Sequence, residues 1–185
     1  LLEAFFVSAG LVALAEVGDK TQLLSLVLAA RFRKPWPIVA GILVSTLLNH
    51  TAAGAAGAWI TTMIGADAMT KIVGVSFLAM AAWILVPDKL DEAGAQRNLG
   101  GIFVTTATLF FIAEMGDKTQ IATVMLAARY PSLVGVVLGT TAGMLLANVP
   151  VVFFGDAIAK RVPLGIVRRL TAAAFAVLGV LALLA

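Results

Sequence analysis

The sequence predicts an all-α, polytopic membrane protein with six transmembrane helices arranged as two inverted three-helix repeats. Three observations carry that reading. Of 185 residues, 61% are apolar and 12% charged, with a mean hydropathy of +1.04, whereas a soluble domain carries about a quarter charged residues. Six apolar runs reach or approach the roughly 20 residues that a helix needs to cross hydrocarbon. Finally, the chain repeats itself at a fixed offset.

The runs lie at 3–30, 36–60, 69–86, 100–128, 132–156 and 164–185. The first ends at Arg31-Phe32-Arg33-Lys34-Pro35. The second contains the small-residue tract Ala52-Ala53-Gly54-Ala55-Ala56-Gly57-Ala58, a pattern of close helix packing. The third is short and stops at Pro87. A polar hinge over 87–98 precedes the fourth, and Tyr130-Pro131 divides the fourth from the fifth. The sixth is purely apolar only from Leu170. Runs of this length exceed barrel strands, and helices satisfy their own backbone hydrogen bonds in lipid.

A shift of 98 residues lays Ala15-Glu16-Val17-Gly18-Asp19-Lys20-Thr21-Gln22 over Ala113-Glu114-Met115-Gly116-Asp117-Lys118-Thr119-Gln120, and 11 of the 18 positions from 15 to 32 are identical. The same offset pairs Gly41 with Gly139, Gly57 with Gly155 and Phe77 with Phe175. The expected organisation is a first repeat over 1–86, the hinge over 87–98 and a second repeat over 99–185. Three spans per half is an odd number, so the halves enter the membrane from opposite sides.

Lysine and arginine set the orientation. Arg31, Arg33, Lys34, Lys89, Arg97, Lys160, Arg161, Arg168 and Arg169 follow spans one, three and five, against Lys71 and Arg129 on the other side. This bias predicts a cytoplasmic hinge and both termini outside. Trp36, Trp59 and Trp83 fall near span ends, where indoles favour the interface. The net charge of +3 thus describes membrane loops rather than a nucleic-acid surface, and Lys160-Arg161 with Arg168-Arg169 reads as a topology determinant. Composition also excludes a globular cytosolic enzyme and a disordered chain. The absence of cysteine excludes disulfides and thiolate metal sites. Leu1 in place of methionine suggests a trimmed or processed start, and Leu1 to Ala15 lacks the basic region of a signal peptide.

Most acidic residues are placed ordinarily: Glu3 near the start, Asp67 and Asp156 at span ends, Asp88, Asp91 and Glu92 in the hinge. Glu16, Asp19, Glu114 and Asp117 are not. Glu16 follows Glu3 by 13 positions, about 20 Å of helix inside a core about 30 Å thick. Glu114 reaches a similar depth from the other face. A charge at that depth costs at least about 2.5–3.5 kcal/mol on insertion scales, so the four acids with Lys20 and Lys118 require a shared polar site. In a continuous helix Glu16, Asp19 and Lys20 would share one face, with Gln22 near the Asp19 side. Gly18 and Gly116 permit either close backbone approach or local unwinding that exposes carbonyls; both remain open.

Four carboxylates and two lysines sum to −2, which one divalent cation or two protons would cancel. Oxygen-only ligation suits hard ions such as Ca²⁺, Mg²⁺ and Mn²⁺. Carboxylates that shed a metal in a low-dielectric site take up protons instead, so exchange of a divalent cation against protons follows. Alternatively, the lysines are tethered to Asp19 and Asp117, leaving the glutamates as primary ligands. His50 reads as a packing or hydrogen-bonding residue. Asn49, His50 and Thr51 in span two and Asn148 in span five are candidate polar partners, and Asn148 overlies His50 at the 98-residue offset.

Two copies of Glu-x-Gly-Asp-Lys-Thr, at Glu16–Thr21 and Glu114–Thr119 in two three-span halves, resemble the GDT family of membrane Mn²⁺/Ca²⁺: H⁺ exchangers. The resemblance covers essentially the whole chain. It implies that Glu16, Asp19, Glu114 and Asp117 bind the transported ion, and that Thr21, Thr119, Gln22 and Gln120 complete or support the site, beside Lys20, Lys118 and Asn148. It implies a secondary transporter, not an enzyme, that exports a divalent cation, with Mn²⁺ first, from the cytosol against protons. A Ca²⁺/H⁺ antiporter for which Mn²⁺ is secondary is the alternative, and an intramembrane aspartyl protease built on Asp19 and Asp117 a remote one. No cofactor is expected; the partners are the cation, protons and the lipid bilayer, with no nucleic acid, and a homo-oligomer is compatible. A short hinge and the lack of an organellar extension favour a compact bacterial plasma-membrane member.

Overall fold

The computed structural model describes residues 1–87, 91–95, 97–155 and 163–184, and all regular structure among them is helical. The expectations for Asp88, Lys89, Asp156, Lys160 and Arg161 concern residues outside the described ones. The helices are α1 (Leu2–Glu16), α2 (Lys20–Phe32), α3 (Pro35–Met63), α4 (Ala66–Ile84), α5 (Glu92–Ala95), α6 (Ile102–Glu114), α7 (Lys118–Arg129), α8 (Leu133–Phe154) and α9 (Leu164–Leu184). Four of them, α3, α4, α8 and α9, are long and apolar enough to cross a membrane.

The runs predicted at 3–30 and 100–128 are not continuous helices. Each breaks at the glycine of its motif, and of the two uses of glycine left open above, the chain takes the unwinding one. Gly18 has φ of 80° and Gly116 φ of 69°, a left-handed conformation that costs other residues roughly 1–2 kcal/mol. Val17 and Met115 before them are extended. The chain restarts at an aspartate in each case: Asp19 is the N-cap of α2 and Asp117 the N-cap of α7, a position where a short carboxylate is favoured. The expectation that Glu16, Asp19 and Lys20 share one face of a single helix is therefore corrected. Glu16 closes one helix while Asp19 and Lys20 open the next.

Remaining boundaries follow local chemistry. Arg33 ends α2 in a left-handed conformation (φ 53°), donating its N–H to the Ala29 carbonyl. Pro35 then opens α3, where its missing N–H costs nothing. Ser132 caps α8 by accepting the Gly135 N–H at 3.1 Å.

Packing crosses the hinge. α1 packs mainly on α8, α3 on α6 and α7, and α4 on α9. Gly41 of α3 lies so close to α6 that a Cβ there would sit 2.7 Å from the Thr106 Cβ, and its repeat mate Gly139 of α8 meets the Phe5 carbonyl of α1 in the same way. Small residues let the backbones approach where lipid supplies no hydrophobic drive. The repeat pair Phe77 and Phe175, both buried, meet edge to face at 5.9 Å between α4 and α9. Each broken helix thus leans on the first long helix of the opposite half.

Candidate functional site

The two breaks face each other inside the protein. Glu16, Asp19, Glu114 and Asp117 are all buried, both glutamates completely. Carboxylate oxygens of Glu16, Asp19 and Asp117 all lie within 4.8 Å of one another, so the cluster draws on both motifs. The open N-termini of α2 and α7 end there too, and their partial positive charge favours anions.

Each break is held by its own glutamine. The Gln22 Oε1 accepts the Gly18 N–H at 2.8 Å, and the Gln120 Oε1 accepts the Gly116 N–H at 2.7 Å. These side chains replace the intrahelical bonds lost at the break, so the two glutamines support the site by fixing its backbone. Gln22 also donates through Nε2 to the Ala147 carbonyl at 3.0 Å, tying the first break to α8 three residues before its internal Pro150. Gln120 Nε2 lies 3.4 Å from the Asn49 Oδ1.

The two glutamates have unequal partners. Glu16 Oε1 accepts from Asn148 Nδ2 at 3.2 Å, and Asn148 is itself oriented by the Ser25 hydroxyl, which donates to its Oδ1 at 2.7 Å. Glu16 Oε2 has no hydrogen-bond partner among the described residues. Glu114 is bound at both oxygens: Thr46 Oγ1 donates to Oε1 at 2.6 Å and Asn49 Nδ2 to Oε2 at 3.0 Å. Thr46 falls over Met144 at the 98-residue offset, and the Met144 sulfur approaches Asn148 Nδ2 at 3.1 Å.

The geometry amends several sequence expectations. Asn148 does reach a motif glutamate. Its counterpart in the first half is Asn49, one position from the His50 that the fixed offset indicates. His50 is fully buried with neither ring nitrogen hydrogen-bonded among the described residues. Thr46 and Ser25 were not singled out from sequence, although each is a polar residue one helical turn from a candidate, Thr46 from Asn49 and Ser25 from Gln22. Thr119 Oγ1 lies 3.5 Å from the Asp117 Oδ2, whereas Thr21 Oγ1 is buried with no hydrogen-bond partner among the described residues.

The lysines also diverge. Lys20 Nζ pairs with Asp117 Oδ1 at 3.2 Å, across the repeat. Lys118 Nζ donates to the Val86 carbonyl at 2.7 Å and lies 5.9 Å from the Trp83 ring centroid. As for chemical capacity, two oxygens on opposite sides of a Ca²⁺-sized ion stand about 4.6–5.2 Å apart. The Glu16–Asp19–Asp117 cluster is thus compact enough for one hard divalent cation to touch all three carboxylates.

Half-helices whose ends converge on buried charge within an apolar helical bundle define the class of ion-coupled membrane carriers. Comparison with known sequences gives the family. The profile described as "Divalent cation/proton antiporter GDT1" matches residues 4–92 and 102–185, and the chain belongs to this family of transporters. It is similar to a "Putative manganese exporter" of Vibrio cholerae, with 50% identity over 95% of this chain and 88% of that protein. It is also similar to the GDT1-like protein sll0615 of Synechocystis, 30% identical over 88% of this chain and 87% of the relative, and to GDT1-like protein 4 of rice, 26% identical over 90% and 68%. No solved structure matches the chain.

Proposed function

We propose that the chain exports a divalent cation, Mn²⁺ first, from the bacterial cytosol in exchange for protons, and that Glu16, Asp19 and Asp117 hold the ion with Glu114 beside them. The observation that carries this is the convergence of three buried carboxylates, from both motifs, at two helix breaks. Family membership supports the coupling of divalent cation to proton, and the name given to the Vibrio relative supports Mn²⁺. When the ion leaves, the carboxylates accept protons, since bare charge in a low-dielectric site is costly.

In this reading α1–α2 and α6–α7 are the first and fourth of six spans, completed by α3, α4, α8 and α9. The halves 1–86 and 99–185 are inverted repeats, with the 87–98 hinge cytoplasmic and both termini outside. The packing favours moving bodies different from the contiguous halves. α1, α2 and α8 form one bundle, and α6, α7 and α3 the matching one. Rocking of these bundles about the cluster would present it to either side in turn.

The test is Mn²⁺ and Ca²⁺ uptake into proteoliposomes under an imposed pH gradient, comparing the wild type with Glu16→Gln. Gradient-dependent uptake that the substitution abolishes is expected. Uptake indifferent to both would refute the exchanger, and a strong preference for Ca²⁺ would replace Mn²⁺ as the principal cargo.

A further inference from the structure

We propose that Lys20 is a tethered competitor for the transported cation. Its ammonium holds Asp117 while the carboxylate cluster lacks a divalent ion, and it withdraws into the adjoining hinge-side cavity, toward Asp91, when the ion binds. This deepens the proposed function and rests on Glu16, Asp19 and Asp117 being the ion's ligands.

Three observations lead here. First, Lys20 Nζ lies 3.2 Å from an oxygen of Asp117, one of the three clustered carboxylates, so the ammonium holds a carboxylate that a bound cation would need. Second, the pair spans a boundary: the Asp117 side chain is 2% exposed and that of Lys20 26%. Third, Lys20 lines a cavity of about 230 Å³ with Leu24, Leu109, Ala95, Gly94 and Asp91. Its walls are otherwise apolar, and Asp91, from the hinge, is the one carboxylate among the described lining residues.

The physics of the exchange is simple. Three carboxylates carry −3 if ionised, and Lys20 reduces that to −2. A divalent ion arriving beside the ammonium places like charges within a few ångströms of each other, a repulsion that a buried setting strengthens. One of them must leave, and the lysine has a flexible four-carbon stem on which to do so. The cavity is large enough for it, since a water molecule takes about 30 Å³ in the liquid and the ammonium can move there with part of a hydration shell. Asp91 supplies a second counter-charge. Lys118, at the corresponding place in the second motif, instead reaches the Val86 carbonyl and the Trp83 ring. The use of the competitor to a carrier is to keep affinity low enough for release, because a site that binds too tightly cannot turn over.

Mn²⁺ binding to the purified full-length chain, measured by calorimetry, tests this with Lys20→Gln, Lys20→Arg, Asp91→Asn and Glu16→Gln. Removing the competing charge should tighten Mn²⁺ binding about tenfold, on the scale of a partly exposed ion pair. Lys20→Arg should restore near-wild-type affinity, and Asp91→Asn should weaken binding about threefold because the displaced ammonium loses its second partner. In proteoliposomes Lys20→Gln should lower both KM and maximal rate, whereas a lysine that merely stabilises the fold would lower the rate alone. Independently of any variant, saturating Mn²⁺ should raise the reactivity of Lys20 toward reductive methylation, read by mass spectrometry. Unchanged or weaker binding by Lys20→Gln, or unchanged Lys20 reactivity, overturns the proposal, and unchanged binding by Asp91→Asn overturns the withdrawal toward the hinge. If the wild type fails to bind Mn²⁺, or Glu16→Gln binds it equally well, the carboxylate site itself is refuted instead.

Discussion

Substitution of Asn148 by alanine should damage cation binding more than substitution of Asn49, although the two occupy matching places. Asn148 is the donor to Glu16 Oε1 at 3.2 Å, and the other oxygen of that buried carboxylate has no partner among the described residues. Asn148→Ala therefore strips the described donor set of Glu16 entirely. A hydrogen bond to a charged group contributes about 1.5–3 kcal/mol, which corresponds to roughly a 10- to 150-fold loss of affinity if the carboxylate must stay in place to bind the ion. Loss of an outer partner of a metal ligand falls in a similar range, about 10- to 100-fold. Asn49→Ala leaves Glu114 with the 2.6 Å bond from Thr46, and Glu114 lies outside the tight three-carboxylate cluster. Its expected cost to cation binding is smaller, because Glu114 keeps one donor and is not among the three clustered carboxylates. The assay is the KM for Mn²⁺ uptake into proteoliposomes at a fixed pH gradient, with reconstituted protein quantified for each variant. Equal effects, or a larger effect of Asn49→Ala, would refute the inequality of the two glutamates.

The helix breaks and the orientation give two further expectations. Gly18→Ala and Gly116→Ala each force a Cβ into a left-handed conformation at about 1–2 kcal/mol, at Gly18 against the tip of the Leu164 side chain, which can turn aside, and at Gly116 into open space; thermal unfolding in detergent should show a drop in Tm for both variants, and an unchanged Tm for either would contradict a left-handed break at that glycine. Because the chain has no cysteine, Asp91→Cys introduces a single thiol in the hinge, which an impermeant maleimide should label in inverted vesicles and not in intact cells; the opposite pattern would reverse the orientation.

Much of this architecture was legible in the sequence, for reasons that differ between elements. The long helices α3, α4, α8 and α9 lie within a few residues of the runs predicted for them, because lipid demands an uninterrupted apolar stretch and the punctuation at Pro35, Pro87 and Pro131 is local. The motif acids stood out because charge at the depth expected of them would be too costly to be incidental. The helix breaks were less legible. Glycine inside a membrane helix serves close packing as readily as unwinding, as Gly41 and Gly139 demonstrate by doing the former. What separates Gly18 and Gly116 from them is an aspartate immediately after and a glutamine four residues on, a combination of N-cap and backbone acceptor that closes the gap. The partners of the glutamates were only half visible. A fixed offset of 98 carries Asn148 onto His50, while the fold matches it with Asn49, the residue that binds the other glutamate.

The departures from internal symmetry lie in the surroundings of the motifs, not in the motifs. Both repeats supply the same Glu-x-Gly-Asp-Lys-Thr pattern, the same left-handed glycine and the same glutamine across the break. A continuous helix would bury its carboxylates with its own backbone already satisfied and no N–H to spare. Breaking two helices back to back instead brings two N-termini and two asparagines from packed neighbours to the acids. That arrangement needs the duplicated string but does not fix how each glutamate is finished. Thr46 and Asn49 bind both oxygens of Glu114, whereas Asn148 binds one oxygen of Glu16 and the other has no hydrogen-bond partner among the described residues. Lys20 pairs with Asp117 at the edge of the cluster, and Lys118 reaches the Val86 carbonyl. Duplication accounts for the charge; the unequal neighbours account for why three of the four carboxylates, rather than all four, gather closely enough to share an ion.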